Sequence, residues 1–375
     1  LRQGSLFLVR FDHERAETRG EPVAMVKDVA QATQAWDSDD LTLHGQFAVS
    51  NTGSLAYVAG PGSSFPARQL VAVDRAGHVR GLGAIERGYR PHPAVSPDGS
   101  QLLVTVQDTS SVKLYRFDLA RRSLSPIGEG VRGEVLAAAW GSDNQIAASV
   151  IDAGAVNAVI VRPDPASLAQ VIPQSTGYWA GSLSQDGRLA SMGYGGLQVF
   201  DVRAGRRLPA AAEVRPNGER QPAWSPDGRW LAYTAPTRGS SNQMDYAIPA
   251  DDRAHIYVRA FPGPGDAVAV STAGGHSPVW NRNGRELFFL EPGPNGDTMM
   301  SVDVTNPSKP SVPRPLFATP AGMFGGTSIL APYDVSPDGR WFYTIRTLPS
   351  NAAPVRDIQL VINWISALPA RVRVP

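Results

Sequence analysis

A tetrapeptide turn recurs along this chain at a near-constant interval and restricts it to a repeat architecture. Ser96-Pro97-Asp98-Gly99, Ser225-Pro226-Asp227-Gly228 and Ser336-Pro337-Asp338-Gly339 are full copies. Ser50-Asn51-Thr52-Gly53, Ser184-Gln185-Asp186-Gly187 and Asn281-Arg282-Asn283-Gly284 are worn copies, and Gly141-Ser142-Asp143-Asn144 is the most degraded. Successive copies start 41 to 56 residues apart, the period of a unit of four strands. Pro fixes φ at the second position, Asp accepts local N–H groups, and Gly takes the strained exit. An apolar residue precedes the turn (Val95, Trp140, Trp224, Trp280, Val335) and a β-type run follows it, as in Trp230-Leu231-Ala232-Tyr233. The turn therefore joins two antiparallel strands.

Composition agrees. Gly and Pro supply 37 and 32 of 375 residues, the turn load of an all-β chain. A hydrophobic fraction of 42% is ample for a core. No apolar run reaches the roughly 18 residues of a membrane span, and no signal peptide is visible. The chain begins with Leu inside an apparent repeat and reads as a fragment or processed form. A net charge of +1 gives no case for nucleic acid or anionic lipid. Without cysteine there is no disulfide framework, thiol nucleophile or Cys-based metal site.

Each unit reads as strand, turn, strand, loop, strand, turn, strand. Third strands are apolar on both faces, for example Leu70 to Asp74, Val112 to Asp118, Leu197 to Asp201 and Gln359 to Trp364. Radial stacking buries both faces and removes open sheet edges. The spacing predicts an all-β, seven-bladed β-propeller over residues 1–375, with six or eight blades as alternatives. Residues 28–375 supply the seven repeats. Residues 1–27 supply closure strands, one of which pairs with the last blade.

The tetrapeptide turns crowd one face of such a body. The opposite face carries the long insertions Thr234 to Ala254, Ala318 to Leu330 and Thr347 to Asp357, and long loops on a rigid scaffold commonly bind. His44, His92, Glu134, Tyr178, Glu219 and His276 each lie four to seven residues before their turn, with Gln46, Gln221 and Asp334 just inside. The repeat places them around one channel mouth. His92, His276 and Glu219 are the candidate metal ligands or general acid/base groups, for a divalent cation such as Ca or Zn. His44, Gln46, Glu134, Tyr178, Trp179, Gln221 and Asp334 are candidate ligand-binding residues; Trp179 stands out because it breaks the register of the other tryptophans. A solvated channel mouth with no role would carry the same residue types. Asp37-Ser38-Asp39-Asp40 lacks the Gly and distal Glu of a calcium loop. Gly128-Glu129-Gly130-Val131-Arg132-Gly133 matches a kinase glycine-rich loop only as a string. No Lys falls between 114 and 308, and neither His-Arg-Asp nor Asp-Phe-Gly occurs.

The stretch Trp224-Ser225-Pro226-Asp227-Gly228-Arg229-Trp230-Leu231-Ala232-Tyr233, followed by Ile256-Tyr257-Val258-Arg259-Ala260-Phe261-Pro262-Gly263, resembles TolB-type, WD40-like propeller repeats. These follow the kinase domain in many bacterial receptor-like serine/threonine kinases. Leu6 to Val26 and Ile358 to Pro375 look like the corresponding end segments. The resemblance implies a propeller fold and a binding or sensing module of a larger bacterial protein, extracytoplasmic (periplasmic) when membrane-bound. The longer insertion Thr234 to Ala254, with Asp245, Tyr246, Asp251 and Asp252, departs from the pattern. Two functions stay open. One is a non-catalytic, monomeric module that binds a protein or small-molecule ligand at the channel mouth. The other is a metal-dependent hydrolase of an ester, lactone or phosphotriester.

Overall fold

The computed structural model describes residues 5–30, 46–60, 67–107, 111–128, 130–141, 144–162, 169–193, 196–208, 218–236, 254–263, 266–325, 330–349 and 357–364. Among them are strands and turns and no α-helix. No helix of the described residues is long and apolar enough to cross a membrane. Where the repeats suggest one closed domain over 1–375, the chain forms two compact units. The larger holds residues 67–107 and 111–348; the smaller holds 1–66, 108–110 and 349–375.

The larger unit contains six antiparallel sheets among its described residues. In the first, Gly88–Tyr89 and Ala94–Val95 both pair with Gln101–Gln107, followed by Val112–Asp118 and Ser123–Pro126. The second runs Glu134–Trp140, Ile146–Asp152, Ala155–Val161, Gln170–Val171. The third runs Tyr178–Leu183, Arg188–Gly193, Gly196–Asp201, Arg206–Arg207. The fourth runs Arg220–Trp224, Trp230–Pro236, Ala254–Ala260, Val268–Ala269. The fifth runs His276–Trp280, Glu286–Glu291, Thr298–Asp303, Arg314–Ala318. The sixth begins with Tyr333–Val335 and Trp341–Thr347 and is completed by Arg68–Asp74 and Val79–Gly81 from the other end of the unit. Each innermost strand touches the next, and Tyr333–Val335 touches Ala94–Val95, which closes the ring.

The core confirms this order. Among the described residues it includes six apolar layers, each between two consecutive sheets. Leu103 and Leu114 meet Val135 and Ile146; Ala147 and Ile160 meet Leu189 and Phe200. Leu197 and Val199 meet Trp224 and Leu231; Ile256 and Val258 meet Leu287 and Phe289. Phe288 and Met299 meet Phe342 and Val71; Leu70 and Tyr343 meet Leu102 and Phe117. Both faces of each middle strand are thus buried, which is why these strands are apolar throughout.

The closing strand differs from expectation. Leu6–Asp12 and Glu17–Val26 pair with one another, whereas Arg68–Asp74 pairs along its whole length with Trp341–Thr347. Leu70, Val71, Ala72 and Val73 have no exposed area, while Glu17–Val26 is exposed along most of its length. Only the former has two apolar faces to wedge between blades. Seven turns suggest seven blades, but six lie in this ring. The seventh copy, Ser50-Asn51-Thr52-Gly53, joins Phe47–Val49 to Leu55–Val58 in the smaller unit. The stretch Gln359 to Trp364 is expected as a third strand of the last repeat; the observed strand, Ile358–Val361, is the third strand of that sheet instead. The smaller unit has its own cluster of Leu6, Val29, Leu55 and Trp364.

Candidate functional site

The tetrapeptide turns fix the start of each sheet. In Ser96, Ser184, Ser225 and Ser336 the hydroxyl donates to the carboxylate of Asp98, Asp186, Asp227 and Asp338 at 2.5–2.6 Å. The same serine oxygens accept the backbone N–H of Gln101, Arg188, Trp230 and Trp341. Gly99 and Gly339 have φ of +74° and +70°, and both pack against the preceding sheet's turn. A Cβ on Gly99 would lie 2.7 Å from Pro337, and one on Gly339 would lie 2.2 Å from Asn281. These turns therefore lock neighbouring sheets as well as reversing the chain.

Counting back one residue from the apolar residue before each turn gives Ala94, Ala139, Ser182, Ala223, Val279 and Asp334. All six are half-buried and all six line a cavity of about 180 Å³ in the ring. Five are small or apolar. Asp334 alone is charged.

Two residues further back, three sheets have a residue with positive φ. His92, Gln221 and Ser277 have φ of 126°, 53° and 59°, and each precedes a proline: Pro93, Pro222, Pro278. The register shifts between Arg220 and Ala223 and between His276 and Val279. Positive φ in a side chain-bearing residue is strained and persists only where the surroundings impose it. Here hydrogen bonds across the sheets impose it. Gln221 Oε1 accepts from Thr234 Oγ1 and from the Ser277 N–H, each at 2.8 Å. Tyr333 donates its hydroxyl to the Ser277 carbonyl at 3.0 Å. His92 Nδ1 donates to the Ala331 carbonyl at 3.1 Å. The Val95 N–H donates to Asp334 Oδ2 at 2.7 Å, and Val335 N–H to Oδ1 at 2.8 Å. Sheets four, five, six and one are stitched together in sequence.

The structure brings His92, Gln221 and Asp334 to the cavity wall. Glu134 is half-buried at the start of its strand. Tyr178 packs edge-on against Phe200. Trp179 is buried with Leu136, Ala137, Met192 and Leu330, so its break in register reflects packing. Glu219 is buried. His276 sits between Asp297 Oδ2 and Ser277 Oγ, each 3.0 Å away. Gln46 belongs to the smaller unit and is exposed, with its backbone paired to Ala30 and Val58. His44, the four acidic or aromatic residues of the Thr234 to Ala254 insertion and the Asp37 to Asp40 run lie outside the described residues.

The expected trio of His92, Glu219 and His276 does not assemble as a metal-holding group. Among the described residues no three His, Cys, Asp or Glu are so placed. The reason is register. His92 lies four residues before its turn, where the fourth and fifth sheets carry Gln221 and Ser277. His276 lies five before and Glu219 six before. Successive strand residues point to opposite faces, so His276 falls off the row of Gln221 and Ser277, and Glu219 precedes the strand Arg220–Trp224 altogether.

Burial lowers the His92 imidazole to about 4, against the Ala331 hydrogen bond, with Arg90 adding to the lowering. Burial raises Asp334, while Arg282 and the two N–H donors pull it back. Arg282 went unselected in the sequence. Its guanidinium crosses from the fifth sheet to the first and donates to the Val95 carbonyl at 2.9 Å. The signal was present: Arg stands where full copies of the turn have Pro.

No family model and no curated relative matches the chain. Solved structures do match in fold. The putative TolB from Agrobacterium tumefaciens aligns with a TM-score of 0.55 at 16% identity, over 76% of this chain and 100% of that one. TolB from Acinetobacter baumannii aligns at 0.46 and 12% identity, over 81% of this chain and 68% of that one. The closed ring of sheets is a β-propeller, the fold it shares with the putative TolB from Agrobacterium tumefaciens.

Proposed function

We propose that this protein is a non-catalytic binding propeller, whose channel takes a small ligand or a segment of a partner protein. The observation that carries the reading is the cavity itself. It is ringed by one equivalent residue from each of six sheets and flanked by strained, cross-linked positions at His92, Gln221 and Ser277. A rigid wall with a few convergent polar groups is what recognition requires. The repeats' resemblance to those of receptor-like kinases supports a sensing or interaction role within a larger extracytoplasmic bacterial protein.

The test fills the channel. Ala139 is half-buried and lines the cavity, so Ala139→Trp plugs it while leaving the blade layers alone. Ligand-observed NMR of a fragment library is expected to find binders to the parent that the plugged variant loses. Binders that persist unchanged in the plugged variant would place recognition elsewhere. The hydrolase alternative is checked on the same protein with ester, lactone and phosphotriester substrates. Turnover that chelation or His92→Ala abolishes would replace the binding reading; binding without turnover is the expected result.

A further inference from the structure

We propose that the channel recognises a free α-amino acid as its zwitterion, with Arg282 holding the carboxylate and Asp334 the ammonium. This rests on the channel being the binding site. Two departures from the repeat pattern carry it, and they occur in adjacent sheets. At the second turn position the full copies have Pro97, Pro226 and Pro337, and the third sheet has Gln185; the fifth sheet has Arg282. At the ring position five sheets have Ala, Ser or Val, and the sixth has Asp334. Arg282 gives up a residue that pre-sets the turn, and Asp334 brings a charge into an enclosed wall. Both face the same cavity.

Their geometry suits a ligand with a donor and an acceptor close together. Val95 lies between them: its N–H goes to Asp334 and its carbonyl takes Arg282. The sheets of Arg282 and Val95 are not neighbours in the ring, because the sheet of Asp334 lies between them. The guanidinium therefore reaches past the sixth sheet to the first. Among the described residues it has one hydrogen-bond partner, the Val95 carbonyl; a guanidinium carries five N–H donors in a fork that fits a carboxylate. Asp334 accepts one N–H on each oxygen, and a carboxylate has about four acceptor sites. The pair has no net charge, and neither has an amino acid zwitterion. A lone anion would meet Asp334, and a lone cation would meet Arg282. Trp140, Trp224 and Leu183 line the same space and offer an apolar side chain a surface. About 180 Å³ is below the roughly 300 Å³ at which pockets for drug-sized ligands begin, so one residue fits better than a peptide.

Calorimetry on the full chain tests this with L-alanine, L-leucine and L-phenylalanine. Each is compared with its N-acetyl form, which lacks the ammonium, and its amide, which lacks the carboxylate. At least one amino acid is expected to bind, and each modified form about tenfold more weakly, the size of one lost charge-assisted hydrogen bond. Asp334→Asn should erase the preference over the N-acetyl form alone, and Arg282→Gln the preference over the amide alone. Arg282→Lys, which keeps the charge, should keep part of that preference and serves if the Gln variant fails to fold. Leu-Leu should bind more weakly than leucine. The assignment is overturned if none of the three binds, if modified and free forms bind alike, if either variant keeps both preferences, or if Leu-Leu binds as tightly. If the forms bind alike and Ala139→Trp abolishes all of them, the channel stands as the site and only the zwitterion falls.

Discussion

Ser225 shows how much of the fold rests on single side chains. Its hydroxyl donates to Asp227 and accepts the Trp230 N–H, so Ser225→Ala removes two hydrogen bonds and strands a backbone donor. A loss of about 1–3 kcal/mol is expected in chemical denaturation. The turn carboxylates also set an acid limit. Ser hydroxyls hold Asp98 and Asp338 below the usual range. For Asp186 and Asp227, partial burial opposes the shift, and Ser184, Arg188, Ser225 and Arg229 outweigh it. A depressed carboxyl stabilises the native state above its unfolded pKa, and that contribution goes as pH falls through the folded value. His92 adds a separate window. Its folded value of about 4 lies below the ordinary 6.5, so the unfolded chain takes up a proton first. Stability should fall as pH drops from about 6.5 to about 4. Denaturation curves across that range are expected to slope for the parent and to flatten for His92→Gln. Equal slopes would show that His92 titrates normally.

At the scale of elements, the tryptophans before the turns are wedges between blades. Trp224 and Trp280 are 6% and 5% exposed, and Trp280 also donates its indole N–H to the Ala223 carbonyl at 3.1 Å. Trp→Ala at either should cost about 3–5 kcal/mol; a change within about 1 kcal/mol would mean that these side chains are not core. This much was legible because the turn copies and the apolar residue before each are local, and local spacing survives in a sequence. A second recurring signal was legible and passed over. Third strands end in Asp74, Asp118, Asp201 and Asp303, whose carboxylates accept N–H groups of the following turn at Ala76, Ala120, Ala204 and Thr305. The site was less legible. Register within a strand decides which side chain enters the channel, and a bulge shifts that register without changing the sequence period. Hence Gln221 and Asp334 line the cavity, while His276 and Glu219 lie one or two residues off the inward row.

At the scale of the molecule, closure is a long-range event that no local spacing encodes. Arg68–Asp74 must find Trp341–Thr347 across the length of the unit. Arg75 continues the seam to the fifth sheet, donating to both oxygens of Glu286 at 2.6 and 3.1 Å, and Glu286 in turn accepts from Ser301. The channel exists only if this seam closes a ring of six, so the seam is the point to measure. The chain has no cysteine, which leaves a clean background for an engineered pair. Gln69 and Arg346 are directly opposed in the two strands, and the Arg346 guanidinium donates to the Gln69 side chain. Opposed strand residues lie within the Cα separation that a disulfide spans. In Gln69→Cys/Arg346→Cys, oxidation should give an intramolecular disulfide in native protein, read by peptide mass mapping and lost when the protein is unfolded before oxidation. If oxidation of the native protein gives no Gln69–Arg346 disulfide, the six-sheet ring and the channel within it are wrong.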